Sequence, residues 1–293
     1  MLVQTEPGPF DPELLINPPT SRPTVEGRPL VQLDPDHPGF RDKEYRARRN
    51  KIAQIAVDYR SGQPIPEAPY SKEEDELWGI IRNALEPVHA KHACAEFLQS
   101  LEMIDLPRHR IPQLSEVTEK VQAKSGFRLE PVAGLVEAQV FLQSLSNGVF
   151  LSTQYIRHHS APLYTPEPDV VHEVIGHAVT LASPRLAELN RLFGDVVMRA
   201  GSADDIEKIG RIYWYTIEFG VVREDGQPKA FGAGLVSSAG ELAAIEKAEI
   251  RPFDLEAASR QNFDPTSFQP VLFCADSFEA MYSELREYLL NWS

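Results

Sequence analysis

The run Thr165-Pro-Glu-Pro-Asp169 leads directly into Val170-Val-His172-Glu173-Val-Ile-Gly176-His177. Proline fixes its own φ, lacks an amide hydrogen and disfavours the helical region for the residue before it. Pro166 and Pro168 are therefore accommodated only ahead of a helix or in its first turn. A helix must start close to Asp169, which places His172 about one turn inside it. His177 follows at i+5, about 140° round a regular α-helix, whereas the i, i+4 histidines of zinc peptidases are about 40° apart. The two imidazoles face one point only if the helix is distorted near Gly176 or ends at His177, and glycine permits both.

Helical periodicity dominates elsewhere. Ile52, Ile55, Ala56 and Tyr59 mark a helix from Glu44 that Gly62, Pro64 and Pro66 stop. Ser71 and Glu74 form a capping box for a helix burying Leu77, Trp78, Ile81 and Leu85, which Pro87 is predicted to break. Ser183-Pro184 opens another that Gly194 is predicted to close after Leu186, Leu189 and Phe193. Ser202 starts the next, with Ile206, Ile209, Tyr213 and Ile217 inward, and a last one from about Ser277 buries Phe278, Met281, Tyr282, Leu285 and Leu289. Strand signals are short: 127–129, 149–152, 219–223 with 229–231 across Asp225-Gly226, and 271–273. Without β-α-β alternation or an internal repeat, the expected fold is mainly α, an α+β domain with short antiparallel strands over residues 31–293. Residues 1–30 hold seven prolines and no apolar period, and are read as an extended arm.

A balance of 29 Lys+Arg against 43 Asp+Glu gives a charge of −14, which repels phosphate backbones and anionic lipid and so argues against nucleic-acid and membrane partners. No stretch approaches the roughly 18 apolar residues of a membrane helix, and no signal peptide opens the chain, so the expected location is cytoplasmic. Cys94 and Cys274 stand in unlike contexts without metal or disulfide spacing and read as core residues.

Asp169 and Glu173 flank the histidine pair, and a further carboxylate, Glu218, ends the helix from Ser202. Two imidazoles and one carboxylate form the facial triad that holds Fe(II) with positions left open. Two buried, hydrogen-bonded histidines would be the plain structural alternative. A zinc hydrolase with Glu173 as general base is another, although the i, i+5 spacing departs from its pattern.

The chain resembles the tetrahydrobiopterin-dependent aromatic amino acid hydroxylases. The resemblance rests on Tyr164-Thr-Pro-Glu-Pro-Asp169 with His172-Glu173 and Gly176-His177, on Tyr213-Trp-Tyr-Thr-Ile-Glu-Phe-Gly220, and on Gly232-Ala-Gly-Leu-Val-Ser-Ser-Ala-Gly-Glu-Leu242. It extends through Asp36-His-Pro-Gly-Phe40, Gly126-Phe-Arg-Leu-Glu-Pro-Val-Ala-Gly134 and Thr153-Gln-Tyr-Ile-Arg-His158. It implies a basket-like helical catalytic domain around a mononuclear iron. His172, His177 and Glu218 would be the ligands, with Ser237 orienting the first histidine.

The same resemblance implies that Arg157 binds the carboxylate of an aromatic amino acid, braced by Asp169. Tyr164, Thr165, Pro168, Trp214, Phe219 and Ser237 would complete the substrate site. A tetrahydropterin would stack on Phe141, pair with the main chain of Leu135 and Val136, and reach Glu173 through a water. Gln139, Val140 and Ala138 depart from the family's usual residues there, which implies an altered pterin affinity. With O2 as co-substrate, the implied reaction is ring hydroxylation.

Tyr164 and Trp214 point to L-phenylalanine giving L-tyrosine. Leu151 and the Asp264-Pro265 loop leave tyrosine, tryptophan or meta-hydroxylation open, and a non-catalytic amino acid sensor is the remote alternative. The family's animal members carry a regulatory domain and a tetramerisation helix with no counterpart in these 293 residues, which implies a monomer.

Overall fold

The computed structural model describes residues 31, 33–163, 165 and 167–292. The arm 1–30 and Tyr164 lie outside the described residues. α1 (Lys43–Asp58) opens on Asp42, whose carboxylate accepts from the amides of Glu44 and Tyr45, and it buries Ile52, Ala53 and Ala56. α2 (Lys72–His92) starts with the expected reciprocal capping box between Ser71 and Glu74.

Pro87 does not break α2, contrary to the sequence expectation. Pro87 and Asn83, whose carbonyl loses its i+4 donor, are both exposed, so water reaches the freed group. Burial of His89 and His92 holds the last turn. The His89 Nε2 lies 2.6 Å from the Val236 carbonyl oxygen, and burial pushes its pKa from 6.5 down to about 4.

The unfolded chain therefore takes up a proton that the folded chain resists, so His89 contributes stability above its ordinary pKa that is lost as pH falls toward 4. Urea denaturation is expected to show up to about 3 kcal/mol of this loss between about pH 7.5 and 4.5. His89→Gln should lose that component, and an unchanged slope would exclude His89 as its source.

α3 (Ala95–Ile104) and α4 (Leu114–Ser125) lead into β1 (Arg128–Pro131), α5 (Ala138–Ser146) and β2 (Val149–Ser152). β1 and β2 pair in parallel, Arg128 opposite Val149, with α5 in the crossover. This corrects the expectation of antiparallel ribbons without β-α-β alternation. Parallel neighbours need a connection of about a dozen residues or more, and residues 132–148 provide it.

The π-helical segment His172–Ala178 continues into α6 (Val179–Leu181), and α7 (Pro184–Arg199) begins at Ser183, whose hydroxyl accepts from Leu186 N. Gly194 does not close α7; it lies inside it where α5 packs alongside. A Cβ at Gly194 would fall 2.3 Å from Ser146 N and 2.9 Å from Leu142 O. Gly194→Ala should therefore force two helices apart at a cost of about 2 kcal/mol or more, lowering Tm on the order of 5 °C. An unchanged Tm would show that α5 can shift freely.

α8 (Ala203–Tyr213), capped by Ser202, runs into a second π-helical segment, Trp214–Glu218. β3 (Val221–Glu224) and β4 (Gln227–Ala230) form the expected antiparallel hairpin, with Asp225 and Gly226 both at positive φ. α9 (Ala233–Val236), α10 (Ala239–Ala243), a 3-10 turn (Ile245–Lys247), β5 (Glu249–Pro252), α11 (Leu255–Arg260), β6 (Val271–Ala275) and α12 (Phe278–Leu290) follow. The larger sheet has the order β4-β3-β6-β5, and β6 is parallel to both β3 and β5.

The mainly helical fold is as expected; strand direction, the strand Glu249–Pro252 and the helix interiors at Pro87 and Gly194 differ. One core cluster spans α2 to α12 and includes Val170, Val171, Val174, Ile175 and Ala178, which fix the histidine-bearing segment. Cys94 and Cys274 are buried free thiols. Among the described residues no helix is long and apolar enough to cross a membrane.

Candidate metal centre and adjoining cavities

The i, i+5 spacing of His172 and His177 is met by widening the helix. Segment 172–178 is π-helical, and i→i+5 bonding brings residues five apart onto one side. Gly176 allows α9 to lie against this turn, since a Cβ there would be 2.8 Å from Ala233 O. The second π-helical segment ends at Glu218, with Phe219 N donating to Trp214 O.

His172 Nε2 and His177 Nε2 are 3.0 Å apart, Glu218 Oε1 is 3.0 Å from His177 Nε2, and Glu218 Oε2 is 3.7 Å from His172 Nε2. The Ser237 hydroxyl donates to Ala233 O at 2.7 Å, so it can accept from the His172 Nδ1–H 3.1 Å away. That tautomer leaves the His172 Nε2 lone pair aimed at the other two donors. His177 Nδ1 is buried with no partner among the described residues.

The electrostatics suit a cation. Burial, then the neighbouring His177, hold His172 down to about 4. Burial opposes protonation of His177, but the Glu218 carboxylate outweighs it and raises that pKa; Glu218 is correspondingly lowered, against its burial, by His177. Glu173, accepting from Thr153 N and Oγ1 at 3.2 and 3.1 Å, is pushed up to about 7 by burial.

The segment preceding the π turn is held by residues 153–157. Thr153 Oγ1 lies 3.3 Å from Pro168 O, so its single proton is shared between that carbonyl and Glu173, and Val170 N donates to Tyr155 O. Arg157 grips Asp169 through Nε and Nη2, both at 2.8 Å, and through its own amide. Arg157 is 4% exposed and Asp169 fully buried. Asp169 also accepts from the His172 amide, so the arginine, the aspartate and the first histidine form one connected unit. The Thr165 hydroxyl donates to Glu167 O.

A cavity of about 170 Å³ opens on the three donors and is lined by Leu135, Val136, Phe141, Pro168 and Glu173 among others. A second, of about 630 Å³, is lined by Tyr213, Trp214 and Phe263, and shares Phe141 and Glu218 with the first. Phe141 stands edge-on to Phe150 and Tyr213. Trp214 lies against Phe219 and stacks on Phe263 at 4.0 Å, and its Nε1 donates to Gln269. Arg157, Thr165, Asp169, Phe219 and Ser237 line neither of these two cavities. Phe263 and Gln269 escaped the sequence reading. The one signal near them was the Asp264-Pro265 loop.

The family model of the biopterin-dependent aromatic amino acid hydroxylases matches residues 29–292. The chain belongs to this family. It is 42% identical over 264 residues to a tyrosine 3-monooxygenase of Schistosoma mansoni, covering 88% of this chain and 57% of that protein. It is also 42% identical over 265 residues to the human phenylalanine-4-hydroxylase, covering 88% and 58%. The chain thus spans little more than half the length of these curated relatives.

Among solved structures, phenylalanine hydroxylase from Legionella pneumophila matches with a TM-score of 0.72 and 30% identity over 80% of this chain and 91% of that one. Phenylalanine hydroxylase from Chromobacterium violaceum, with bound iron(III) and 7,8-dihydrobiopterin, matches with a TM-score of 0.74 and 27% identity over 83% and 90%. The family's biopterin dependence and that iron agree with the cofactors implied by the sequence.

Proposed function

We propose that this chain is a monooxygenase that uses Fe(II), a tetrahydropterin and O2 to hydroxylate the ring of a free aromatic L-amino acid, converting L-phenylalanine to L-tyrosine. In this reading residues 31–293 form a monomeric, cytoplasmic catalytic domain and residues 1–30 an arm. The observation that carries it is the convergence of His172 Nε2, His177 Nε2 and Glu218 at the end of a cavity. The donor set fits iron: two imidazoles and one carboxylate leave positions for O2 and co-substrate. With a reduced pterin, the iron would supply the activation of O2 that no side chain can perform.

The chain's own residues bind, orient and exclude water. Ser237 holds the His172 tautomer, and Glu173, buried beside the cavity, would hold the pterin through a water. Phe141 offers its ring as a stacking face, with the main chain of Leu135 and Val136 as pairing groups. Arg157, aligned by Asp169, would take the substrate carboxylate, for which a guanidinium provides parallel donors. Pro168, Trp214 and Phe219, with Thr165 and Tyr164, would shape an apolar slot that keeps water from the reacting ring.

Names among the relatives divide between phenylalanine and tyrosine, whereas the two solved structures above are phenylalanine hydroxylases. Trp214 supports phenylalanine. The test is mass spectrometry of products from iron-loaded protein, a tetrahydropterin and O2, with phenylalanine, tyrosine and tryptophan offered in parallel. Phenylalanine gaining one oxygen at the para position is the expected result. Oxygen on another substrate or position corrects the specificity, and no oxygenated product with bound iron and pterin overturns the reading.

A further inference from the structure

A second constellation of metal-ligating side chains shares no residue with the first. Asp42 spends Oδ1 on the first amides of α1, leaving Oδ2 at 3.2 Å from His158 Nε2. His158 is buried and its ring is pinned: Tyr45 stands edge-on at 4.9 Å, Ser160 Oγ lies 2.7 Å from Nδ1, and Ser160 N donates to that nitrogen at 3.3 Å. Without an ion, Nε2 therefore donates its proton to Asp42, and an ion there would take that proton's place. His159 is exposed, its ring tilted against that of His158 at 4.2 Å. One ligand atom from each of Asp42, His158 and His159 falls within 4.8 Å of the others.

Zinc bonds of about 2.0–2.1 Å place neighbouring tetrahedral donors about 3.3 Å apart. The Asp42–His158 hydrogen bond, at 3.2 Å, is close to this spacing, and the exposed His159, its ring against that of His158, can turn onto the same point. From these contacts we propose that Asp42, His158 and His159 form a second divalent-cation site of the zinc class, completed by water. Imidazole with carboxylate favours zinc over the harder magnesium and calcium. The ion would tie the start of α1 to the loop that follows Arg157, across 116 positions of sequence.

The test is equilibrium dialysis of iron-loaded protein against zinc, followed by elemental analysis of iron and zinc. Wild type is expected to hold about two metal ions per chain in total and His159→Ala about one. His159 is exposed, so its loss leaves the core untouched, and far-UV circular dichroism checks this. Asp42→Asn keeps a good helix cap but removes the charge, and should weaken the second ion about tenfold or more. His177→Ala should keep zinc at the second site, which separates this proposal from the fate of the first centre. A wild-type total of one, or unchanged zinc in both His159→Ala and Asp42→Asn, overturns it.

Discussion

His177→Ala is expected to strip iron from the protein and to reduce product formation more than about 10³-fold, well beyond the roughly 100-fold that losing an outer partner costs. His177 is the donor nearest both others, at 3.0 Å from His172 Nε2 and from Glu218 Oε1. Its removal leaves two donors that are 3.7 Å apart and no longer surround a point. The ring is packed against Phe150, so the substitution opens a small cavity but keeps the π-helical backbone, whose surroundings are apolar. Iron per chain by elemental analysis and turnover by product mass spectrometry are read together. Ser237→Ala provides the scale, with iron affinity down about 10- to 100-fold because His172 loses the acceptor that fixes its tautomer. Full iron retention with normal turnover in His177→Ala would refute the assignment of this cluster as the metal centre.

The second large effect is on stability. Asp169→Ala leaves the Arg157 guanidinium buried without its bidentate partner, a situation that costs about 3–5 kcal/mol. It also removes the acceptor of the Arg157 and His172 amides, so the loss should stand near the upper end. Urea denaturation is the direct measure. Arg157→Lys separates support from binding: it retains a charge but cannot grip in parallel, and should raise KM for the amino acid more than it lowers kcat. A stable Asp169→Ala protein with unchanged KM would show that the pair neither supports the fold nor prepares the site.

What was legible in the sequence was what is settled locally. Ser71, Ser183, Ser202 and Ser277 cap helices where the pattern placed them, because a cap depends on a few adjacent residues. Pro87 and Gly194 were misread as stops because their effect depends on the other side of the helix, which is water for one and a close-packed helix for the other. Strand direction followed from crossovers between distant segments and was invisible to alternation alone.

The i, i+5 histidines did signal a distorted helix, and a π turn is the form it takes. Nothing comparable announced the π-helical Trp214–Glu218, Phe263 against Trp214, or the approach of Asp42 to His158, since each depends on residues brought together by folding.

Both helices that deliver metal donors are widened at the point of delivery. The arrangement is therefore encoded in chain length as much as in residue identity. On an ordinary α-helix the same five-residue spacing would set His172 and His177 about 140° apart, with every functional side chain still present but no common point for them to face. Grafting His172, His177 and Glu218 onto straight helices of another scaffold would fail for the same reason. An engineer who wishes to move this centre must carry over the extra residue in each turn together with the ligands.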